Sequence, residues 1–547
     1  MIADITVTEK SFGDKTLMTN VKFGVDDNEK VGVVGRNGVG KSTLFGILTG
    51  ADTDYSGEVV YRRGTVVMAT AQEHHGLGDV TVMEYILSGL PEYTELHHIL
   101  RTYPEMMGDD MKKIEAYTVA LDRFGQKGFY QIEELVGEEL KKFQLGDIGD
   151  RTLASLSGGQ KRLIEIVKVM HAHADLVLID EPTNHMDYVA KDQFVNWMKN
   201  ANEAMLVITH DRDVLREVDR IIEIKDGGCQ SFKGNYDAYL KQNASSTGNA
   251  MQEFEQMERR KVNLHDKMIQ FRRLKEKARD PDTIKQFKRR ENQAAAELAE
   301  LEKIEKPTFW IDKDNVAQLD YKVAGRYEKF KARNIRLSIK DGAMRSQRKL
   351  VEARNLALGY GEHLLFEGVN IDLREGEAVE LRGRNGAGKT TLIRELLGTG
   401  AATLFDGTLT LDPQVRIGVY DQEVDEKYFD VPLRDALERL YLERGLSISE
   451  TKIRQLLGDY LFTDNDTLVP LKRLSGGQKA RFQIISMLAN DPQLLILDEP
   501  TNHLDLPSIE ELESALERYS GAVLYVSHDG YFRGAIGGMV VQIGTTK

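Results

Sequence analysis

Two stretches of this chain have the residue types and spacing to hold phosphate. Gly35 to Thr43 reads GRNGVGKST, and Gly383 to Thr391 reads GRNGAGKTT. In a G-x-x-x-x-G-K-[ST] loop, glycines let successive backbone N–H groups turn inward around phosphate oxygens. The helix that follows adds its positive end. Gly35, Asn37, Gly38 and Gly40 form one loop, and Gly383, Asn385, Gly386 and Gly388 the other. Lys41 and Lys389 should reach the terminal phosphates, while Ser42 and Thr390 should bind Mg²⁺. Thr43 and Thr391 complete the two nucleotide-binding sets. Each loop follows an apolar strand-like run, VGVVG in the first copy and AVELRG in the second.

Other chemistry-bearing residues also occur twice. Asp180 and Asp498 end apolar strands, where a magnesium-supporting aspartate belongs. Glu181 and Glu499 come next and are placed to orient or polarise an attacking water. A buried structural acid is the alternative, and the duplication of the acid pair weakens it. His210 and His528 end further apolar strands and can hold a γ-phosphate by hydrogen bond. A lone histidine there would more often be structural, but the fixed offset from the acids favours function. LSGGQK recurs at Leu156 and at Leu474, presenting Ser157, Gly159 and Gln160, then Ser475, Gly477 and Gln478. A serine and two glycines before a helix make a second anion-binding element. Spacing alone does not say which phosphate it contacts.

The elements that position these residues follow from the repeat. Ser157 to Ser475, Asp180 to Asp498 and His210 to His528 are each 318 residues apart. Lys41 to Lys389 is 348, so the first copy carries 30 more residues between its first and second motifs. Gln72 and Gln422 follow their lysines by 31 and 33 residues, which places the extra material between Gln72 and Leu156. Segment 91–134 is the candidate insertion, with a longer helical loop as the plain alternative. Each copy opens on alternating β-type sequence and continues with buried strands such as LVLID and LLILD, separated by helix-like segments. This predicts an α/β fold of two tandem P-loop domains with mostly parallel strands. The expected divisions are 1–240, a linker at 241–348, and 349–547.

The linker differs in character. Met251 to Glu305 contains no glycine, and Met257, Leu264, Phe271 and Ala278 are seven apart. Phe287, Ala294 and Leu301 resume that spacing after Arg279–Asp282, which reads RDPD. This predicts an α-helical hairpin with a Pro-containing turn. Arg259 to Arg290 holds 13 Lys or Arg against 4 Asp or Glu, on a chain of 547 residues with net charge −14. Such a local excess suits phosphate backbones, with a solvated coiled-coil face as the alternative. The overall acidity argues against coating nucleic acid with the whole surface. The one cysteine, Cys229, excludes an internal disulfide, a cysteine zinc site and an iron–sulfur cluster. No apolar run approaches the roughly 18 residues of a membrane span. The N-terminus carries Asp4 and Glu9 and lacks a signal-peptide core, so a cytoplasmic protein is expected.

Taken together, the phosphate loop, glutamine, LSGGQ, Asp-Glu pair and histidine resemble the ATP-binding cassette superfamily, complete twice. The resemblance implies ATP and Mg²⁺ as ligands, with hydrolysis of ATP to ADP and phosphate. It implies that each ATP is sandwiched between the phosphate loop of one copy and the LSGGQ of the other. One site would join Lys41, Ser42, Gln72, Asp180, Glu181 and His210 to Ser475 and Gly477. The other would join Lys389, Thr390, Gln422, Asp498, Glu499 and His528 to Ser157 and Gly159. Gln72 and Gln422 would share Mg²⁺ with Ser42, Asp180, Thr390 and Asp498. Phe12 and Tyr360 match the aromatic that stacks on adenine, although an aromatic at position 12 could instead belong to a core.

EPTNHMD and EPTNHLD, the segment FKGNYDAYL at Phe232 to Leu240 and the basic hairpin after it resemble the ABC-F class of translation factors. That resemblance implies binding at the ribosomal E site, a linker directed at P-site tRNA and rRNA, and an "arm" at the insertion. It implies a monomer with its cassettes paired, without membrane or DNA partner. Met186 in place of the usual leucine, and Arg481 opposite Leu163, imply non-equivalent sites. A transporter energy subunit with a separate membrane partner is the alternative, disfavoured by the Asn-His motifs and the hairpin. Zinc-bearing repair ATPases and an iron–sulfur recycling ATPase need cysteines this chain lacks. Chromosome-maintenance ATPases separate phosphate loop and LSGGQ by long coils, against 116 and 86 residues here. The step of translation, and housekeeping against antibiotic resistance, are left open.

Overall fold

The computed structural model describes residues 1–12, 15–71, 78–106, 108, 110–184, 186–302, 348–421 and 424–544, with a few positions between 310 and 337. It divides into two compact units, Met1–Tyr236 with Ile335–Lys547, and Asp237–Asn334. The first contains both copies of the repeat as α/β cassettes.

In the first cassette a largely parallel sheet runs in the order Val67–Ala69, Leu176–Asp180, Ala204–Ile208, Lys30–Val34, Arg220–Lys225 and Gly228–Lys233. Only the last strand pairs antiparallel. The central strands are continuous apolar runs because both sheet faces are covered. Val177, Ile179, Met205 and Val207 pack into one core, and Leu176, Leu178, Leu206 and Ile208 into another on the opposite face. The second core is closed by a three-stranded antiparallel sheet of Lys15–Val25, Ala3–Phe12 and Ser56–Tyr61. The alternating sequences of the two copies form these covering sheets. The second cassette repeats the plan, with Ile417–Tyr420, Leu494–Asp498, Ala522–Val526, Ala378–Arg382 and Met539–Gln542 as its parallel sheet.

The covering sheets are bent by bulges in matching places. Register slips between Val7 and Glu9 opposite Gly57, and between Arg354 and Ala357 opposite the strand that carries Gly407. Gly57 has φ +136°, and a Cβ there would lie 2.1 Å from the Thr6 carbonyl oxygen. Gly57→Ala should therefore cost about 2–5 kcal/mol of stability, from a forbidden backbone region plus the steric conflict. Urea unfolding of the two proteins measures it.

Between the first strand pair and the signature helix Gly158–His171, the first cassette holds helices Val82–Ser88, Tyr93–Met106, Met111–Gln126 and Ile132–Lys142. The second cassette holds Leu433–Glu443 and Glu450–Asp459 in the corresponding interval. Segment 91–134 thus contains the pair Tyr93–Met106 and Met111–Gln126, pinned by a cluster of Tyr93, Phe124 and Phe129 rings 5.3–5.7 Å apart.

The second unit is built on a helical hairpin. One helix covers Tyr236–Lys277 and the next Pro281–Glu302. Asp280 caps the second, accepting from Thr283 N at 2.9 Å, and Pro281 occupies the first helical position, where its missing N–H costs nothing. Across the hairpin Phe271 and Phe287 stack at 6.5 Å, and Leu264 and Ala294 are buried. Arg272 and Lys275 both bind Glu291, and Arg260 binds Glu297. Most other basic side chains, including Lys267, Arg273, Lys277, Lys285, Lys288 and Arg289, face solvent. Among the described residues no helix is long and apolar enough to cross a membrane.

Candidate nucleotide-binding sites between the cassettes

Both phosphate loops sit where the parallel strands end at their carboxyl edge. Gly40 (φ +104°) and Gly388 (φ +100°) take the left-handed turn that launches helices Lys41–Leu48 and Lys389–Leu396. Lys41 Nζ donates to the Gly35 carbonyl at 2.6 Å and Lys389 Nζ to the Gly383 carbonyl at 2.7 Å. The buried ammoniums are thus held inside their own loops, and burial pushes both pKa values down. Ser42 Oγ donates to Asp180 Oδ2 at 3.1 Å, and Thr390 Oγ1 to Asp498 Oδ2 at 2.9 Å. These hydroxyl–carboxylate pairs are hard-oxygen donors of the kind magnesium takes. Among the described residues no three His, Cys, Asp or Glu side chains cluster closely enough to hold a metal alone. The pairs therefore fit an ion whose remaining ligands are phosphate oxygens and water.

Glu181 and Glu499 follow immediately, both in the left-handed region at φ +47° and +49°. Such backbone is rare for a residue with a side chain and concentrates at functional sites. Burial raises both carboxyl pKa values, that of Glu499 to about 7. His210 Nε2 lies 3.7 Å from Glu181 Oε1, and His528 Nε2 lies 3.3 Å from Glu499 Oε1. Burial, aided by the nearby lysine, pushes each imidazole down to about 3, so these are neutral rings and not ion-paired. Both ring nitrogens of His210, and Glu499 Oε1, are buried with no hydrogen-bond partner among the described residues. Orphaned polar atoms of this kind are costly unless a ligand completes them.

The two signature helices start alike. Ser157 Oγ accepts from Gln160 N while Gln160 Oε1 accepts from Ser157 N; Ser475 and Gln478 do the same. In LSGGQ, expected as an anion-binding element, the serine and glutamine thus form a reciprocal cap. Each signature faces the opposite cassette's phosphate loop. Asn37 Nδ2 donates to the His503 carbonyl at 2.8 Å, and a Cβ on Gly477 would lie 2.0 Å from that same nitrogen. At the other site, Ser157, Gly159 and Gln160 share a cavity of about 830 Å³ with Gly386, Lys389, Thr390, Thr391 and Tyr360. Asp498, Glu499 and His528 line the same cavity, and Gly477 lies against Asn37 of the first phosphate loop. Gln72 and Gln422 lie outside the described residues. Phe12 and Tyr360 are both half exposed; Tyr360 lines the cavity, whereas Phe12 lies under Lys10 Nζ at 4.6 Å.

Asp187 and Asp505, the last residues of the two EPTNH(M/L)D motifs, tie the cassettes together. Asp187 caps helix Tyr188–Asn200 and also accepts from Asn385 N of the other cassette at 3.0 Å. Asp505 caps Leu506–Arg518 and accepts from Asn37 N at 3.1 Å. Each aspartate ties one cassette's helix to the other's phosphate loop. Their recurrence at the 318-residue offset was the signal that could have found them.

The family model described as "ABC transporter" matches residues 18–184 and 366–502. The chain is 30% identical to "Putative ATP-binding protein YdiF" of Bacillus subtilis, covering all of this chain and 80% of that one. It is 28% identical to "Ribosome protection protein VmlR" of the same organism, over 96% of this chain and 84% of that protein. It is likewise 28% identical to "ABC transporter F family member 5" of Arabidopsis thaliana, over 98% and 74%. Among solved structures, the archaeal ribosome recycling factor aABCE1, in complex with a ribosomal stalk protein, superposes with a TM-score of 0.57. That match covers 99% of this chain and 90% of that one, and at 16% identity it speaks to the fold alone.

Proposed function

Starting from a chain that belongs to the ABC-F family of tandem ATP-binding cassette ATPases, we propose that it is a cytoplasmic factor whose binding to the ribosome is switched by ATP. Two ATPs close the cassettes, each held between one phosphate loop and the opposite signature. Lys41 and Lys389 turn from their loop carbonyls to the terminal phosphates. Ser42 with Asp180, and Thr390 with Asp498, would hold Mg²⁺, together with Gln72 and Gln422. The ion supplies charge neutralisation across the phosphate oxygens.

Glu181 and Glu499 orient the attacking water and accept its proton, a role suited to carboxyls whose pKa burial has raised toward neutrality. Neutral His210 and His528 donate a ring N–H to the γ-phosphate. Tyr360, and Phe12 once Lys10 moves aside, stack on adenine. Hydrolysis removes the γ-phosphate that bridges the cassettes, and the closed state loses its advantage.

The observation that carries the ribosomal half of this reading is the hairpin, basic on an acidic chain and solvent-facing along most of its charge. Its Lys and Arg side chains contact rRNA and P-site tRNA phosphates from the E site. The inserted helices of segment 91–134 act as the arm, and the chain works as a monomer. The relative named a ribosome protection protein supports this partner. Purified ribosomes should raise the ATPase rate several-fold, while lipid vesicles and duplex DNA should not. Stimulation by vesicles or DNA alone would overturn the ribosomal reading, in favour of a transporter subunit or a DNA-maintenance enzyme.

A further inference from the structure

The contacts that join the cassettes are not two-fold symmetric, and Lys191 is where they depart from symmetry. Helix Tyr188–Asn200 begins at Asp187, which accepts from Asn385 N in the second phosphate loop. One turn on, buried Lys191 is paired with Asp211 Oδ2 at 2.8 Å and with Asp213. Its Nζ also donates across the interface to the His528 carbonyl at 3.4 Å. Asp211 directly follows His210 and caps the short helix Arg212–Leu215. Lys191 therefore links the segment carrying one candidate γ-phosphate histidine to the backbone of the other.

The 318-residue offset shows what the mirror contact would require. The counterpart of Lys191 is Ile509, one turn after Asp505, and it has no donor to offer the His210 carbonyl. A neighbouring contact has the same bias. Buried Arg212 Nη1 meets Glu513 Oε1 at 3.0 Å, and the guanidinium lies 4.9 Å from the Tyr531 ring. The counterparts of Arg212 and Glu513 are Gly530 and Val195, which cannot form an ion pair.

We propose that Lys191 is a positioning residue that sets the placement of His528, so hydrolysis at the site built on Lys389 depends on the first cassette in a way the Lys41 site does not mirror. The proposal rests on the site assignments above. A charged donor on the partly buried His528 carbonyl holds the backbone ahead of helix Gly530–Ile536 and hence the imidazole that meets the γ-phosphate. Arg212, Glu513 and Tyr531 keep the two cassettes in register at this point.

The test measures ATP turnover with one site silenced at a time. In a Glu181→Gln background, where only the Glu499 site turns over, Lys191→Met should lower kcat about tenfold with KM little changed. In a Glu499→Gln background the same substitution, which also unpairs Asp211 behind His210, should lower kcat clearly less than in the first background. Lys191→Arg should restore most of the loss, since it keeps a charged donor. Because Lys191→Met is common to both backgrounds, misfolding would depress both and cannot mimic the split. Equal loss in the two backgrounds, or no loss in either, overturns the proposal alone. Wild-type turnover by the protein carrying Glu181→Gln and Glu499→Gln together overturns the glutamate assignment, and this proposal with it.

Discussion

Replacing Glu181 and Glu499 together by glutamine lowers ATP hydrolysis by roughly 10²–10⁴-fold, the range typical of removing a general base, while ATP binding survives. Glu499 is buried and Glu181 partly buried, each beside a neutral imidazole at the carboxyl edge of the sheet. Glutamine has the same shape and keeps a hydrogen-bonding oxygen, but its amide cannot accept the water's proton. The neighbouring histidines do not substitute as bases, because their rings already serve as donors to phosphate in this account. The left-handed backbone at both positions is set by hydrogen bonds from Glu181 N to Ile208 O and from Glu499 N to Val526 O, which the substitution leaves intact. Steady-state phosphate release and equilibrium binding of a fluorescent ATP analogue separate the two effects. A matching loss of ATP binding would mean the carboxylates hold the nucleotide rather than act on water.

The second large effect concerns the hairpin. Arg273, Lys277, Lys285 and Arg289 are exposed and lie on both arms near the turn. If each contacts one phosphate, changing all four to alanine reduces the slope of log affinity against log salt by about 3. Ribosome affinity near physiological salt then falls on the order of 10²-fold. The ATPase rate without ribosomes stays within about twofold, since these residues lie outside the nucleotide sites. Arg272 and Lys275 are poor choices for this experiment. Both bind Glu291, so removing them would disturb the hairpin's own packing as well as any RNA contact. Sedimentation at several salt concentrations gives the slope directly. An unchanged slope would assign these charges to a solvated coiled-coil face.

Much of this protein is legible in its sequence because its key features are local. A phosphate loop is glycines ahead of a helix, and the αL turns at Gly40 and Gly388 follow from residue type alone. The hairpin is legible from seven-residue apolar spacing and from Pro281, a residue favoured at the first position of a helix. The repeat offset exposed the paired acids and histidines. What local pattern does not reveal is which distant groups meet. Asp187 and Asp505 read as ordinary helix caps, yet each also receives an N–H from a loop some 200 to 470 residues away. Arg212 and Glu513 are unremarkable charges until folding buries them against each other across 301 residues. Their meeting is decided by how two cassettes dock, and no periodicity within either cassette encodes it. The covering sheets fall between these cases: their strands are visible as alternation, but the bulges opposite Gly57 and Gly407 depend on cross-strand register.

The most direct test of ATP-switched ribosome binding is co-sedimentation of the Glu181→Gln, Glu499→Gln protein with ribosomes, with and without ATP. Stable retention is expected only with ATP, because the closed cassettes can no longer reset, with release as salt is raised. Equal retention with and without ATP, or none under either condition while the unsubstituted protein hydrolyses ATP normally, would contradict it.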